Sequence, residues 1–182
     1  TPNDLMTSAS IQMLIDLGGI DTDHQILTLG KHLATLPCPV RLGKMIIFGA
    51  MLGVLDPILS IAATLICRSP FSASMDEEKR SLVRNAKQRM RRRTRLNSDH
   101  VIYAIAYNEW IEAGNTGGER AKRKYCDENG ILHERMRDIQ QSRRDLMKGL
   151  TDLGFQKFDV DSNLKNALEG LKSMDSEANL EE

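Results

Sequence analysis

Apolar positions along this 182-residue chain recur at helical spacing in almost every segment, with Gly, Pro and capping residues marking the breaks. Met6, Ala9, Met13 and Leu17 predict a first helix, opened by Thr1, Pro2 and Asp4 and stopped by Gly18-Gly19. Ile20 and Ile26-Leu27 flank the polar run Asp21-Thr22-Asp23-His24, a pattern that predicts a small β-hairpin. Thr28 then caps a short helix with Leu29, Leu33 and Leu36 on one face. Pro37-Cys38-Pro39 breaks the chain and marks a first domain boundary.

Arg41 to Val54 is apolar nearly all round, which predicts a buried helix. Asp56 is expected to cap the next helix, with Pro57 at its first position and Ile58, Ile61, Ala62 and Leu65 facing inward; it ends before Pro70. Ser74 is expected to cap a long helix to about Arg93, with Asp76, Glu77 and Glu78 in its first turn and Arg91 to Arg93 in its last, as the macrodipole favours. Ser98-Asp99 start a helix carrying Ile102, Ala106 and Trp110, which stops near Gly114. Residues 114–118 read as a flexible loop, and Glu119 to Asn129 as a further helix ended by Gly130. Leu132, Met136, Ile139, Arg143, Leu146, Leu150 and Leu153 alternate steps of four and three, which sets them on one seam of a final long helix closed by Gly154. A short helix over Leu164–Leu171 and an acidic tail after Met174 complete the expected elements. The core is expected to hold Leu33, Leu36, Met45, Leu52, Ile61, Leu65, Ile102, Ile139, Leu146 and Leu150.

Composition narrows the class. Leu, Ile, Met and Ala dominate the apolar set and aromatics are only 4%, which favours helices over a sheet sandwich. Three cysteines without a C-x-x-C pair argue against a disulfide framework or zinc knuckle and for an intracellular protein. No apolar run reaches membrane-spanning length, no signal-peptide pattern opens the chain, and the absence of an initiator Met suggests a piece of a longer protein. The formal net charge is zero, yet nine basic residues and no acidic one lie between Lys79 and Arg95.

Catalytic motifs are missing. There is no G-x-x-x-x-G-K-[ST] phosphate loop, no H-E-x-x-H and no G-x-S-x-G, and the four histidines lack metal-ligand spacing. Asp76-Glu77-Glu78 is accounted for by a helix N-terminal turn. The basic run is the main physical clue. Arg80, Arg84, Lys87 and Arg91 line one helix face, where they repel one another by a few tenths of a kcal/mol, so roughly, per pair. Phosphate would relieve that repulsion; a solvated face is the bland alternative. Few aromatics argue against a base-stacking platform. Arg143, the one charge in the apolar seam, either pairs with an acid at the bundle edge or borders a polar channel, and the structural reading is favoured.

Leu27-Thr28-Leu29-Gly30-Lys31-His32-Leu33-Ala34-Thr35-Leu36-Pro37, continued by Pro39-Val40-Arg41-Leu42-Gly43-Lys44-Met45, resembles the L-T-x-L-G-x-x-L-A-x-L-P-x-x-P-R-L-G-K-M run of DEAH/RHA-family ATP-dependent RNA helicases, one residue short between Thr28 and Gly30. Leu55-Asp56-Pro57-Ile58-Leu59-Ser60-Ile61-Ala62-Ala63 resembles the family's L-D-P-x-L-T-I-A-A, and Arg68-Ser69-Pro70-Phe71 its R-D-P-F. Ser98-Asp99-His100, Tyr125-Cys126-Asp127-Glu128-Asn129 and Arg143 to Leu146 continue the series in order, with Asp145 where the family has Gln.

The resemblance implies a mainly α fold. Residues 1–39 would form a partial winged-helix unit with its small hairpin, 40–157 a helical-bundle ratchet domain, and 158–182 a short helix and acidic tail leading toward an OB-fold. It implies no catalytic site or metal here, with ATP and Mg held by RecA-like motor domains of the same polypeptide. Single-stranded RNA, those motor domains, the OB-fold and protein activators are the expected partners, with no membrane. Arg68, Ser69 and Pro70 are the best-placed RNA-contact candidates by resemblance, followed by His100, where simple capping by Ser98 and Asp99 is the alternative. Arg84, Lys87, Arg91 and Arg143 enter from their charge. The competing readings are a helical protein-interaction module whose basic face binds an acidic partner, and a winged-helix DNA-binding regulator. The latter is disfavoured because the basic run lies outside the winged-helix segment.

Overall fold

The computed structural model describes residues 4–94 and 96–155. The predicted helix over Leu164–Leu171, the acidic tail and the Thr1 cap lie outside them. Seven helices follow in order: α1 (Asp4–Asp16), α2 (Thr28–Thr35), α3 (Val40–Met51), α4 (Leu55–Cys67), α5 (Glu77–Thr94), α6 (Asp99–Asn129) and α7 (His133–Asp152). The molecule is thus mainly helical, and no single helix among the described residues is long and apolar enough to cross a membrane.

Helix α4 lies at the centre, packed on α3, α6 and α7, while α5 lies along α6 and α2 along α3. Its small and branched residues explain the position: Leu59, Ile61, Ala62 and Ala63 are all buried, and alanines let neighbouring helices approach closely. The predicted α7 seam faces this centre, with Met136, Ile139, Leu146 and Leu150 buried. Leu33 and Leu36, from before the Pro37 break, join the same hydrophobic cluster as α3, α4, α6 and α7.

Several expectations change. The hairpin is not built: among the described residues no strand forms, and only an isolated antiparallel bridge joins Ile20 and Ile26. The Asp21 carboxylate accepts from the N–H groups of Asp23 and Gln25, and α2 begins two residues after the bridge, which leaves no length for a ladder. Gly30 sits so close to Gly19 that an added Cβ would meet the Gly19 carbonyl oxygen at 2.0 Å, so this entry to α2 requires glycine. Asp56 does not cap α4 but lies buried within its first turn. Ser74 precedes α5, where it accepts from the Asp76 N–H, and Asp76 in turn accepts from Glu78. The break expected at 114–118 is present but tighter: α6 consists of two helical segments that meet where Gly117 and Gly118 leave helical angles, and the second folds back on the first, so that Tyr125 reaches Glu109 and Lys122 lies over Trp110. Leu52 and Leu65 are not core: they are 74% and 45% exposed, on the side of α3 and α4 that no described element covers. Phe48 and Met51 share that exposure, so the all-round apolar character of this segment does not mean all-round burial.

Candidate nucleic-acid interface

The connection between α4 and α5 is held by the turn between α6 and α7. The Leu132 N–H donates to the Pro70 carbonyl (2.9 Å) and the Ser72 N–H to the Gly130 carbonyl (2.8 Å), around an antiparallel bridge between Phe71 and Ile131. Gly130 ends α6 with φ 62°, and an added Cβ there would meet Val83 of α5 at 2.6 Å. Pro70 and Phe71 are buried by this arrangement, while Arg68 and Ser69 stand exposed at its edge. Arg68 has φ 119° and ψ 159°, a region otherwise suited to glycine. Its N–H still closes α4 on the Thr64 carbonyl, and the Ser69 hydroxyl accepts from the Phe71 N–H.

Around buried Phe71 the structure gathers groups from three elements. The Lys87 ammonium of α5 lies 4.9 Å from the Phe71 ring centre, Tyr103 of α6 is 6.4 Å from Phe71, and His100 is 6.4 Å from Tyr103. Arg91 donates to Asp99 at 2.7 Å. That hydrogen bond, more than the nearby charges of Lys87, Arg91 and His100, holds the Asp99 carboxyl below the usual carboxylate range. Two cations, an exposed imidazole and the Arg68-Ser69 edge thus border one aromatic floor. Ser98 occupies the α6 N-cap position with no side-chain capping bond, and Asp99 pairs across to α5 instead of capping.

The basic helix is less bare than its sequence implies. Glu77 takes both Arg80 and Arg84, Asp99 takes Arg91, and Glu109 takes both Arg89 and Arg93. Arg84 is therefore paired at the start of α5, apart from the cluster around Phe71. Exposed pairs of this kind contribute about 0.2–1 kcal/mol each. A phosphate can therefore take such a guanidinium at little cost.

Arg143 is different. It donates to the Asp56 carbonyl at 2.7 Å, to the Ser60 hydroxyl and to the Asp56 carboxylate, and its guanidinium lies 4.5 Å from the Tyr107 ring centre. Both partners of this ion pair are largely buried. Removing one side of a buried pair costs about 3–5 kcal/mol, so the Arg143 side chain is committed to the fold and leaves the set of RNA-contact candidates.

A second polar network closes the far end of α6. Trp110 is fully buried; its indole N–H faces Nδ1 of His133 at 3.4 Å, while Nε2 of His133 meets Glu119 at 2.7 Å. Lys122 lies over the Trp110 ring. The contact with His133 lowers the Glu119 carboxyl pKa. These residues tie the helix beyond the kink to α7, and sequence spacing gave no sign of it because the partners come from separate turns. Nearby Cys126 is buried and its thiol is pushed up to about 12, chiefly by burial. Burial also raises Cys38 and Cys67, so none of the three thiols is an activated nucleophile.

Among the described residues, no three His, Cys, Asp or Glu side chains gather as ligands for a metal ion.

Residues 39–103 match the helicase-associated domain (HA2), ratchet-like family. The chain is 32% identical over 161 residues to the DExH-box ATP-dependent RNA helicase DExH4, chloroplastic, of Arabidopsis thaliana, covering 84% of this chain and 11% of that protein. It is 32% identical over 149 residues to human ATP-dependent RNA helicase DHX29, covering 81% of this chain and 10% of that protein. Over 154 residues it is 33% identical to rat ATP-dependent DNA/RNA helicase DHX36, covering 85% and 15%. The chain thus spans between a tenth and a sixth of the length of these relatives. The ordered motifs, the α4-centred bundle and these matches together make this chain a C-terminal helicase-associated region of the DEAH/RHA family.

Proposed function

We propose that this region forms one wall of a single-stranded RNA channel in an ATP-dependent RNA helicase and passes motor-domain movement to the strand. The observation that carries this reading is the cluster of Arg68, Ser69, Lys87, Arg91 and His100 around the pinned turn at Phe71. Cations grip phosphate without reading sequence, and a rigid turn presents a fixed edge to the stacked bases. Mechanical coupling needs such an edge, and the bonds from residues 130 and 132 to residues 70 and 72 supply it by linking the α4–α5 connection to α7. In this reading residues 1–39 belong to a winged-helix unit, 40–157 to the ratchet bundle, and the chain beyond leads toward an OB-fold. ATP and Mg act in RecA-like motor domains of the same intracellular polypeptide.

Fluorescence anisotropy with single-stranded RNA at two salt concentrations tests this. Binding is expected to be weak and salt-sensitive. The Lys87→Ala/Arg91→Ala/His100→Ala variant should weaken it about tenfold and flatten the slope of log affinity against log salt by about 2. Unchanged affinity and slope in a folded variant would reject the interface. Binding of an acidic polypeptide in place of RNA would favour the protein-interaction reading instead.

A further inference from the structure

Helix α5 carries a second basic face. Asn85, Gln88, Arg89, Arg92 and Arg93 fall at helical spacings of three and four and line a shallow groove of about 450 Å³. Around the helix axis this face lies well away from the Arg80, Arg84, Lys87 and Arg91 face. All five residues are exposed. Two of its three guanidiniums share one carboxylate. Glu109, whose side chain is 14% exposed, accepts from Arg89, Arg93 and the Tyr125 hydroxyl. Arg89 also donates to Asn129 at 2.8 Å, which fixes its direction. Arg92 makes no ion pair among the described residues.

We propose that this groove is a second phosphodiester site, one that holds the backbone of base-paired RNA. The lining decides the ligand. It contains forked guanidinium donors and two neutral amides, which suit phosphate oxygens and sugar hydroxyls. It has no aromatic or aliphatic residue against which an unpaired base could stack. The face around buried Phe71 does present rings, half-buried Tyr103 and exposed His100. A strand whose bases are already occupied by pairing loses nothing by lying in the groove. The anchoring of Arg89 and Arg93 by Glu109 positions two of the three donors before the ligand arrives, which lowers the ordering cost of binding. Helix α5 would then separate two tracks: a paired segment along the Arg89, Arg92 and Arg93 face and a single strand along the face toward the pinned turn.

The test compares the full chain with two variants, Asn85→Glu/Arg92→Glu for the groove and Lys87→Ala/His100→Ala for the first face, each checked for folding by circular dichroism. Anisotropy is read with a short single-stranded RNA, a blunt RNA duplex, a blunt DNA duplex of the same length, and labelled poly-glutamate. The groove variant is expected to lose about tenfold in RNA-duplex affinity while single-strand affinity stays within about threefold. A parallel loss with the DNA duplex shows that charge alone is read, and loss with RNA only shows that the A-form backbone is read; either result supports the site. Unchanged duplex affinity overturns it, as does poly-glutamate binding that depends on Asn85 and Arg92 when duplex binding does not. Failure of the first interface shows separately, as a Lys87/His100 variant with normal single-strand binding.

Discussion

Arg68 concentrates the relation between strain and contact in one residue. Its backbone occupies a region that costs a non-glycine residue about 1–3 kcal/mol, and its side chain is exposed. In the proposed channel wall, that exposed guanidinium is the group offered to phosphate. Arg68→Gly should raise thermal stability by about 1 kcal/mol and at the same time weaken single-stranded RNA binding. Thermal melting and anisotropy on the same preparation check both signs. A variant that is destabilised, or that binds RNA normally, would remove Arg68 from the interface. In the sequence, Arg68 stands out through the motif resemblance alone. Its φ is invisible there, because it is imposed by Pro70 and Phe71 being held against residues 130–132.

Among the elements, α4 and α7 depend on a polar lock inside an apolar seam. Periodicity identified Arg143 as the odd member and left two roles open; the answer came from Asp56 and Ser60, more than eighty residues earlier in the chain. Arg143→Ala should destabilise the fold by about 3–5 kcal/mol. The double variant Arg143→Met/Asp56→Leu should recover much of that loss, since two apolar groups leave no orphaned charge. Urea denaturation measures both. An Arg143→Ala protein of normal stability would return the residue to the list of strand contacts. In α6 the Gly-rich composition marked the break between two helical segments correctly; what it could not show is that the second segment folds back, held by Lys122 over Trp110 and by Glu119 on His133.

Across the whole molecule, ion pairs add to the apolar contacts between helices. Arg91–Asp99 joins α5 to α6, and Glu119–His133 joins α6 to α7. Both carboxyls titrate below their ordinary range in the folded state. A depressed folded pKa contributes stability that is present above the unfolded value and is lost as pH falls through the folded one. The melting temperature should therefore drop as pH falls from the ordinary carboxylate range to below it. Asp99→Asn/Glu119→Gln should make that drop shallower. A pH profile of melting temperature that is identical in the double variant would show that neither pair contributes. Because both carboxylates are exposed, the effect is modest and should shrink in high salt.

Helix content, most helix boundaries, the α7 seam and the family were legible in the chain, because each rests on local spacing or on ordered short motifs. Burial of one face, by contrast, depends on what lies opposite. That is why Leu52 and Leu65 were misplaced, why Asp56 is a buried partner and not a cap, and why the hairpin shrank to one bridge. The basic run could be counted along the sequence, but not its neutralisation by Glu77, Asp99 and Glu109, nor its division into two faces. Charge is a property of residues; whether it is free to meet a phosphate is decided by which carboxylates the fold brings within reach.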